Sequence, residues 1–562
     1  GDFEGYGNNK DKSVDFKYRF VSEGKYRPAV ALGIMDPSGT RLLASQYLVA
    51  SKQIYPFDFT IGMGNGRFGD RPLDASGKGV EIELFSDPGQ WWKDARVFGG
   101  IEFAPSEKFA LMVEYAPIDY HKMSLYDVST AEKHFDEPVP SKINVGMRLK
   151  PLDWTEIDLS WQRGEQFGVT VALDFDIGEQ LIPIYDAPYR EEPALRLSPL
   201  EERLATALSR SGFSDIGVSL EGPDLWIEAA NDHWFFATRA VGVVMGLVDE
   251  LAPEDVRTVS ITLTERRIPM ARFTATRSDI GDWRQERLTA DQFVFLSRME
   301  PDVYENLDAP RVNREYVRWG FMPSMQTFLN DPSGFFKARI GLQVWASVHP
   351  WKGSSFVAGL EGYPVNNIST VNEPLSIPVR SDIALYKEQD VALGRLMADQ
   401  VVKGPHEVYG RISAGILELM YAGLDGEVAV PVLDGRFFLG ASGSMVKKRD
   451  PEDAFRLKED DVKDWYTTAF GNVRVNVPEY DAWFDVKAGR FLAGDYGARC
   501  SVSKFIKGVT ITVWYGATDT SVFDDDENQG YHDTGFLVTI PIRLFRGEDS
   551  RTSYWYSLSP WT

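Results

Sequence analysis

Cysteine is almost missing from this chain: one thiol, Cys500, stands among 562 residues. That excludes an internal disulfide framework and any cysteine-held metal cluster. It leaves the compartment open, because a chain exported without disulfides has the same count. Histidine is scarce too, and His121, His134, His233, His349, His406 and His532 have no metal-ligand spacing. Basic charge is in deficit, with 60 Lys and Arg against 83 Asp and Glu and a formal net charge of −23. That balance argues against nucleic acid, whose phosphates need a basic face. No run approaches about 18 consecutive apolar residues, so no transmembrane helix is encoded. Gly-x-Ser-x-Gly, a phosphate loop and a dinucleotide fingerprint are also lacking. The absence of an initiator Met and a signal peptide before Gly1 is uninformative, since a processed chain would lack both.

What the chain has in quantity is alternation. Ile143, Val145, Met147 and Leu149 alternate with Lys142, Asn144, Gly146 and Arg148. Ile157, Leu159 and Trp161 alternate with Glu156, Asp158 and Ser160; after the turn at Gln162–Glu165, Phe167, Val169, Val171, Leu173 and Phe175 do the same. Side chains on a strand point to opposite faces in turn, so each segment has one greasy face and one charged face. With 43% hydrophobic and 25% charged residues the chain is an ordinary folded one. Its aromatic share of 13%, including 15 Trp, points to sugar-stacking surfaces or interfacial girdles.

Three regions separate by period. Residues 1–177 read as about ten strands, including Val14–Phe20, Phe57–Met63 and Val80–Leu84, the last with Glu81 and Glu83 on its other face. A charged, Pro-bearing linker covers 178–197. Residues 198–283 change to a helical period: Ser198-Pro199-Leu200-Glu201 reads as a capping box, and Leu200, Leu204 and Leu208 form a stripe. A second helix near 238–251 and two pairs of short strands give two helix-strand-strand units, a small α+β domain. Residues 284–562 return to period two, with about a dozen or more strands, among them Ala338–Val348, Val509–Tyr515 and Phe536–Leu544. The acidic stretches Asp450–Asp464 and Asp524–Glu527 read as long loops.

A soluble sandwich and a membrane barrel both alternate. Runs of nine residues and more, aromatics at run ends and simple hairpin succession favour the barrel, because a tilted crossing needs about 9–11 residues. Closure also pairs every edge hydrogen bond, without which a sheet cannot sit in lipid. The expected fold is therefore mainly β: one or more outer-membrane antiparallel barrels with an inserted small α+β domain.

Several stretches resemble the YjbH/GfcD family of exopolysaccharide and capsule export proteins of Gram-negative bacteria. They are Lys12–Arg19, Tyr47–Lys52, Phe98–Phe103, Trp161–Gly164, Val379–Ile383, Gly415–Gly423, Gly426–Val428, Lys448–Asp450 and, most specific, Gly489-Arg-Phe-Leu-Ala-Gly-Asp-Tyr-Gly497. Ser521–Glu527 departs from the family's Gly/Ser-rich loop, and the abrupt start and the ending Ser559–Thr562 read as a chain cut at both ends. The resemblance implies an outer-membrane barrel serving polysaccharide secretion.

The residues to weigh are mostly charges of the polar face. Arg490 and Asp495, in the most family-like segment, could line a glycan path or pair across a glycine-built turn. Glu418 interrupts the apolar run Ile416–Tyr421, where a lone carboxylate is costly, with Arg411 as a candidate partner. Arg380 and Asp382 read first as a local salt bridge, and Arg148, Glu156 and Asp158 as charges of a lumen wall. Trp91, Trp92, Trp345 and Trp483 could stack on sugars, although girdles account for most such residues. The same-face pairs Asp174/Asp176 and Glu81/Glu83 could mimic a glycosidase pair, but nothing else supports a cleft. Asp524–Asp526 lacks the spacing of a calcium loop. No cofactor or metal is expected.

Taken together, the sequence points to a non-enzymatic outer-membrane protein that acts as a hydrated conduit or docking platform in exopolysaccharide or capsule export. Its expected partners are the polysaccharide, outer-membrane lipid and, through residues 198–283 in the periplasm, components of an export machinery. A polysaccharide hydrolase or lyase on a β scaffold and a general diffusion porin are the alternatives.

Overall fold

The computed structural model describes residues 2–3, 7–8, 15–37, 44–69, 73, 82–118, 138–174, 176–331, 334–371, 377–459, 461–520, 530 and 532–558. The chain divides into two compact units, residues 1–176 with 332–335 and residues 177–331 with 336–562.

In the first unit, β1 (Asp2–Phe3) pairs with β2 (Gly7–Asn8). Nine longer strands then follow in a single antiparallel meander. They are β3 (Phe16–Val21), β4 (Ala29–Met35), β5 (Ser45–Ile54), β6 (Phe57–Gly64), β7 (Arg96–Ser106), β8 (Phe109–Tyr115), β9 (Ile143–Leu152), β10 (Thr155–Gln162) and β11 (Gln166–Leu173). Register carries one apolar face across the whole sheet. Tyr18 opposes Leu32, Leu32 opposes Leu48, Leu48 opposes Met63, and Met63 opposes Val97. Further on Ile101 opposes Val113, Val113 opposes Val145, Val145 opposes Trp161, and Trp161 opposes Phe167. Tyr18, Val97, Ile101, Val113, Val145, Trp161 and Phe167 are all exposed. An apolar face this continuous is foreign to a water-bathed monomer.

The described part of one expected strand, residues 82–84, does not form it. Glu83–Ser86 and Pro88–Asp94 are short helices, α1 and α2. Asp87 caps the second by accepting from the Gln90 amide at 3.0 Å, and Pro88 pre-sets its first turn. The Asp-Pro signal reads equally as a turn, which is why alternation alone misassigned Val80–Leu84. Glu83 therefore does not share a strand face with Glu81, which lies outside the described residues. Asp174 and Asp176 follow the end of β11 rather than lying on it.

The second unit begins with a small α+β fold. Helix α3 (Leu200–Arg210) precedes β12 (Phe213–Glu221) and β13 (Asp224–Asn231); α4 (Ala237–Leu251) precedes β14 (Thr258–Glu265) and β15 (Ile268–Thr276). Helices α5 (Arg277–Arg284) and α6 (Ala290–Leu296) lead to the short strands β16 (Arg298–Glu300) and β17 (Arg311–Val312). The sheet order is β16-β15-β14-β13-β12-β17, parallel only at β13–β14, where α4 makes the crossover. It extends past residue 283 because β16 and β17 add an edge strand on each side. Leu204, Leu208, Val244 and Val248, spaced at one helical face, are fully buried against Ile216, Leu225 and Val259. The Ser198 capping box does not form: the residue preceding α3 is Pro199, with no side-chain cap.

Thirteen antiparallel strands follow in simple succession as a nearly closed barrel. They are β18 (Val317–Asp331), β19 (Gly334–Val348), β20 (Ser354–Asn366), β21 (Val391–Lys403), β22 (Tyr409–Ile416), β23 (Tyr421–Val432) and β24 (Phe437–Lys448). β25 (Tyr466–Val477), β26 (Ala482–Arg490), β27 (Tyr496–Ile506), β28 (Val509–Thr518), β29 (His532–Pro541) and β30 (Ser553–Leu558) complete it. Thirteen is odd, so β18 and β30 run the same way at the seam, where Thr327 Oγ1 and the Tyr556 hydroxyl meet at 2.9 Å. One end carries short turns such as 433–436 and 507–508. The opposite end carries the long connections 367–390, 449–465 and 519–531.

Candidate functional site: the inner wall of the barrel

Register decides which side chains face inward. Ile412, Leu424, Leu439, Val473, Val486, Val502 and Val513 are exposed on the outer surface. The residues between them point in. Arg411 opposes Glu427, Ser413 opposes Asp425, Arg474 opposes Asp485, and Lys487 opposes Arg499. These inward groups form ion ladders. Arg411 donates to Asp425 at 2.6 Å and to Glu427 at 3.5 Å. Ser413 donates to Asp399 at 2.6 Å. Arg474 binds Asp485 through two nitrogens at 2.6 and 3.3 Å, and Arg499 donates to Asp533 at 2.8 Å. Gly516 makes room for that last pair, since a Cβ there would lie 2.0 Å from Asp533 Oδ1.

Near β18–β20 a polar hub occupies the wall. The Tyr363 hydroxyl meets Ser324 Oγ at 3.1 Å, Gln326 Nε2 at 2.9 Å and Glu361 Oε2 at 3.0 Å. Arg339, wholly buried, stacks 3.9 Å over the Tyr363 ring and donates to Glu361 at 3.3 Å.

Residues 377–390 fold back against inward side chains at the long-loop end. Their short helix α7 (Ile383–Lys387) lays Tyr386 beside Tyr421, Val446 and Tyr466. Asp382 accepts from Lys448 Nζ at 2.9 and 2.8 Å, and Lys448 also donates to Pro378 O. Both partners of that pair are buried, with side chains 0% and 3% exposed. Arg449 clamps the surrounding turns by donating to the carbonyls of Leu393, Leu419 and Ala454 at 2.9, 2.8 and 2.7 Å. Burial pushes the Tyr386 hydroxyl pKa up, assisted by Asp382. Burial also lowers the Lys387 ammonium to about 7, with Arg339 and Arg380 adding to the effect and Glu361 opposing it.

The α+β fold sits at the short-turn end. Arg266, at the tip of the β14–β15 hairpin, pairs with inward-facing Asp399, and its carbonyl accepts from the Gly353 amide at 2.9 Å. Lys403 donates to the carbonyls of Pro269, Met270 and Pro301 at 3.0, 3.0 and 2.7 Å. Glu265 receives Arg551 from beside β30 at 3.0 Å and Arg318 from β18 at 3.9 Å, so one carboxylate bridges the seam. Burial raises the pKa of Asp232 next to it, and Arg318 counters that rise.

The structure redistributes the residues singled out from sequence. Arg411 is inward and ion-paired, but with Asp425 rather than Glu418. Glu418 lies in the turn between β22 and β23 and binds Arg380 at 2.8 Å. Asp382 therefore pairs with Lys448 and not with Arg380. Arg148, Glu156 and Asp158 come together on the polar face of the first unit's sheet, Arg148 Nε lying 3.0 Å from each carboxylate. Arg490 opposes Ala469 and exposed Tyr496, which puts it on the outer face at a strand end instead of in the lumen. Asp495 is buried in the β26–β27 turn and makes no ion pair with Arg490. Of the tryptophans, Trp345 and Trp483 face inward by register and are not girdle residues, while Trp91 is buried in α2. Asp524–Glu527 lies outside the described residues. Sequence reasoning missed Lys448, Lys487 and Arg499; inward parity on β24, β26 and β27 is the signal that finds them.

Comparison with known proteins adds a family. The YjbH model, described as exopolysaccharide biosynthesis protein YbjH, matches residues 1–562. A protein of Escherichia coli (strain K12), described as uncharacterized lipoprotein YjbH, is 26% identical over 596 residues, covering 98% of this chain and 81% of that protein.

Proposed function

Since the chain belongs to the YjbH exopolysaccharide biosynthesis family and so has a role in exopolysaccharide production, we propose that it is an outer-membrane barrel through which the polymer leaves the cell. The observation that carries this reading is the two-solvent wall: apolar side chains such as Ile412, Leu424 and Val513 exposed outside, charges such as Arg411, Asp425 and Arg474 inside. Lipid suits the first surface and a hydrated glycan the second. The strand lengths, 12 residues in β23, β24 and β25, suffice for a tilted crossing of about 9–11 residues. The long connections then face the outside and the α+β fold the periplasm, where its surface would meet the export machinery. A lipoprotein relative fits an envelope location.

The conduit works without catalysis. A glycosidase needs one carboxyl held protonated and a second free to attack or to activate water. The inward carboxylates of the strands, Glu361, Asp399, Asp425, Glu427, Asp485 and Asp533, are each engaged by an arginine. Each is held in an ion pair, so none of them is free for either role.

Two measurements test the proposal. Extracted in detergent, the protein should migrate differently on gels boiled and unboiled, and a deletion strain should retain polymer inside the envelope. Identical mobility together with solubility in the absence of detergent would sink the barrel reading. Release of reducing ends from the host's own polymer would favour the enzyme.

A further inference from the structure

We propose that the inner wall holds a subsite for carboxylate-bearing sugars, centred on Lys487 and Arg499, so that the exported polymer is acidic. This rests on the conduit reading and goes beyond it by naming the charge class of the cargo. Each of the six inward carboxylates named above is engaged by an arginine, Asp425 and Glu427 sharing Arg411. Two inward cations of the strands, among the described residues, have neither an ion pair nor a hydrogen bond. Lys487 makes no ion pair or hydrogen bond among the described residues; its ammonium lies 4.0 Å over the Phe470 ring. That contact fixes the side chain without neutralising it. Arg395, on β21 five strands away round the wall, is exposed to the lumen and is also without a partner among the described residues. In a chain of net charge −23, the charges of this wall that stand outside any ion pair, among the described residues, are positive.

The local arrangement is costly unless something uses it. Lys487 stands directly opposite Arg499 on neighbouring strands, and like charges in that position repel. Among the described residues Arg499 has one acceptor, Asp533, and its guanidinium also lies 5.9 Å from the Trp514 ring centre. Two cations beside an indole offer a hexuronate ring both a stacking face and a counter-charge. A neutral hexose could use the indole but would leave Lys487 unmatched.

The test is calorimetry on the full chain in detergent with hexagalacturonate and maltohexaose as probes. Wild type should bind hexagalacturonate at least about tenfold more tightly than maltohexaose, the worth of one close ion pair. The double variant Lys487→Gln/Arg395→Gln should bring the two affinities together, and Lys487→Arg should keep them apart. Equal affinities in wild type, or a preference untouched in the double variant, would overturn the acidic subsite and leave a conduit for neutral polymer standing. The conduit itself fails by a different result, polymer reaching the medium normally in the deletion strain.

Discussion

The α+β fold and the barrel use the same apolar residues in opposite ways. In the first, Leu204, Leu208, Val244 and Val248 face a shared interior and are shut off from solvent. In the barrel, Val344, Leu424, Val486 and Val513 stand exposed on the outside while Arg339, Lys448 and Asp399 are buried within. Composition does not distinguish these regions; period does. A 3.6-residue period gathers one helical stripe onto a sheet. A period of two makes a wall with an apolar outer face and a charged inner one. One chain therefore contains an apolar-inside core and an apolar-outside wall, and each sets a different rule for substitutions.

The sharpest way to break the contrast is to charge the apolar-inside core. Leu208→Asp leaves an unpaired carboxylate among fully buried neighbours and should cost more than about 4 kcal/mol. Protease digestion should then remove residues 198–300 while the barrel keeps its heat-modifiable mobility. Next comes the buried ion pair. Lys448→Met leaves Asp382, among the described residues, with only the more distant Lys458, at 3.9 Å, and should destabilise the folded-back connection by about 3–5 kcal/mol, seen as faster cleavage within 377–390; the double change with Asp382→Leu should recover most of it. On the outer wall, Val513→Arg should cost about 2–4 kcal/mol in lipid vesicles. The neighbouring Thr512→Arg, pointing inward, should cost far less. The smallest effect is pH. The Lys387 ammonium titrates at about 7 when packed against an ordinary value of 10.5. Between those values the undocked connection holds the extra proton, so docking tightens as pH rises through that window and gains nothing further below it. Cleavage within 377–390 should slow from pH 7 to pH 10.

Alternation made the walls legible from sequence. The pairing of Ile157 with Val171 across β10–β11 follows from period and turn alone, and Leu200, Leu204 and Leu208 mark α3 by spacing. What alternation cannot encode is which charge meets which across folded-back chain. Lys448 and Asp382 are 66 residues apart, and Arg380 and Glu418 are 38 apart. Each pair exists because residues 377–390 return to the wall, a choice set by Tyr386 and Tyr421 packing rather than by local pattern. The in-or-out identity of Arg490 was hidden for a related reason. Its segment has glycines instead of alternation, so only the register with Ala469 settles its face.

Adjacent residues of one barrel strand should meet lipid and water in turn, and β27 offers the test. Cys500, the sole cysteine, is exposed on the outer face opposite Val486, while Ser501 points inward opposite Asp485. A bimane label on Cys500, with the protein reconstituted in lipid vesicles, should be quenched by brominated phospholipid and spared by iodide. The same label on Ser501→Cys in a Cys500→Ser background should show the reverse. Quenching of both positions by iodide, with neither sensing the lipid, would contradict the two-solvent wall.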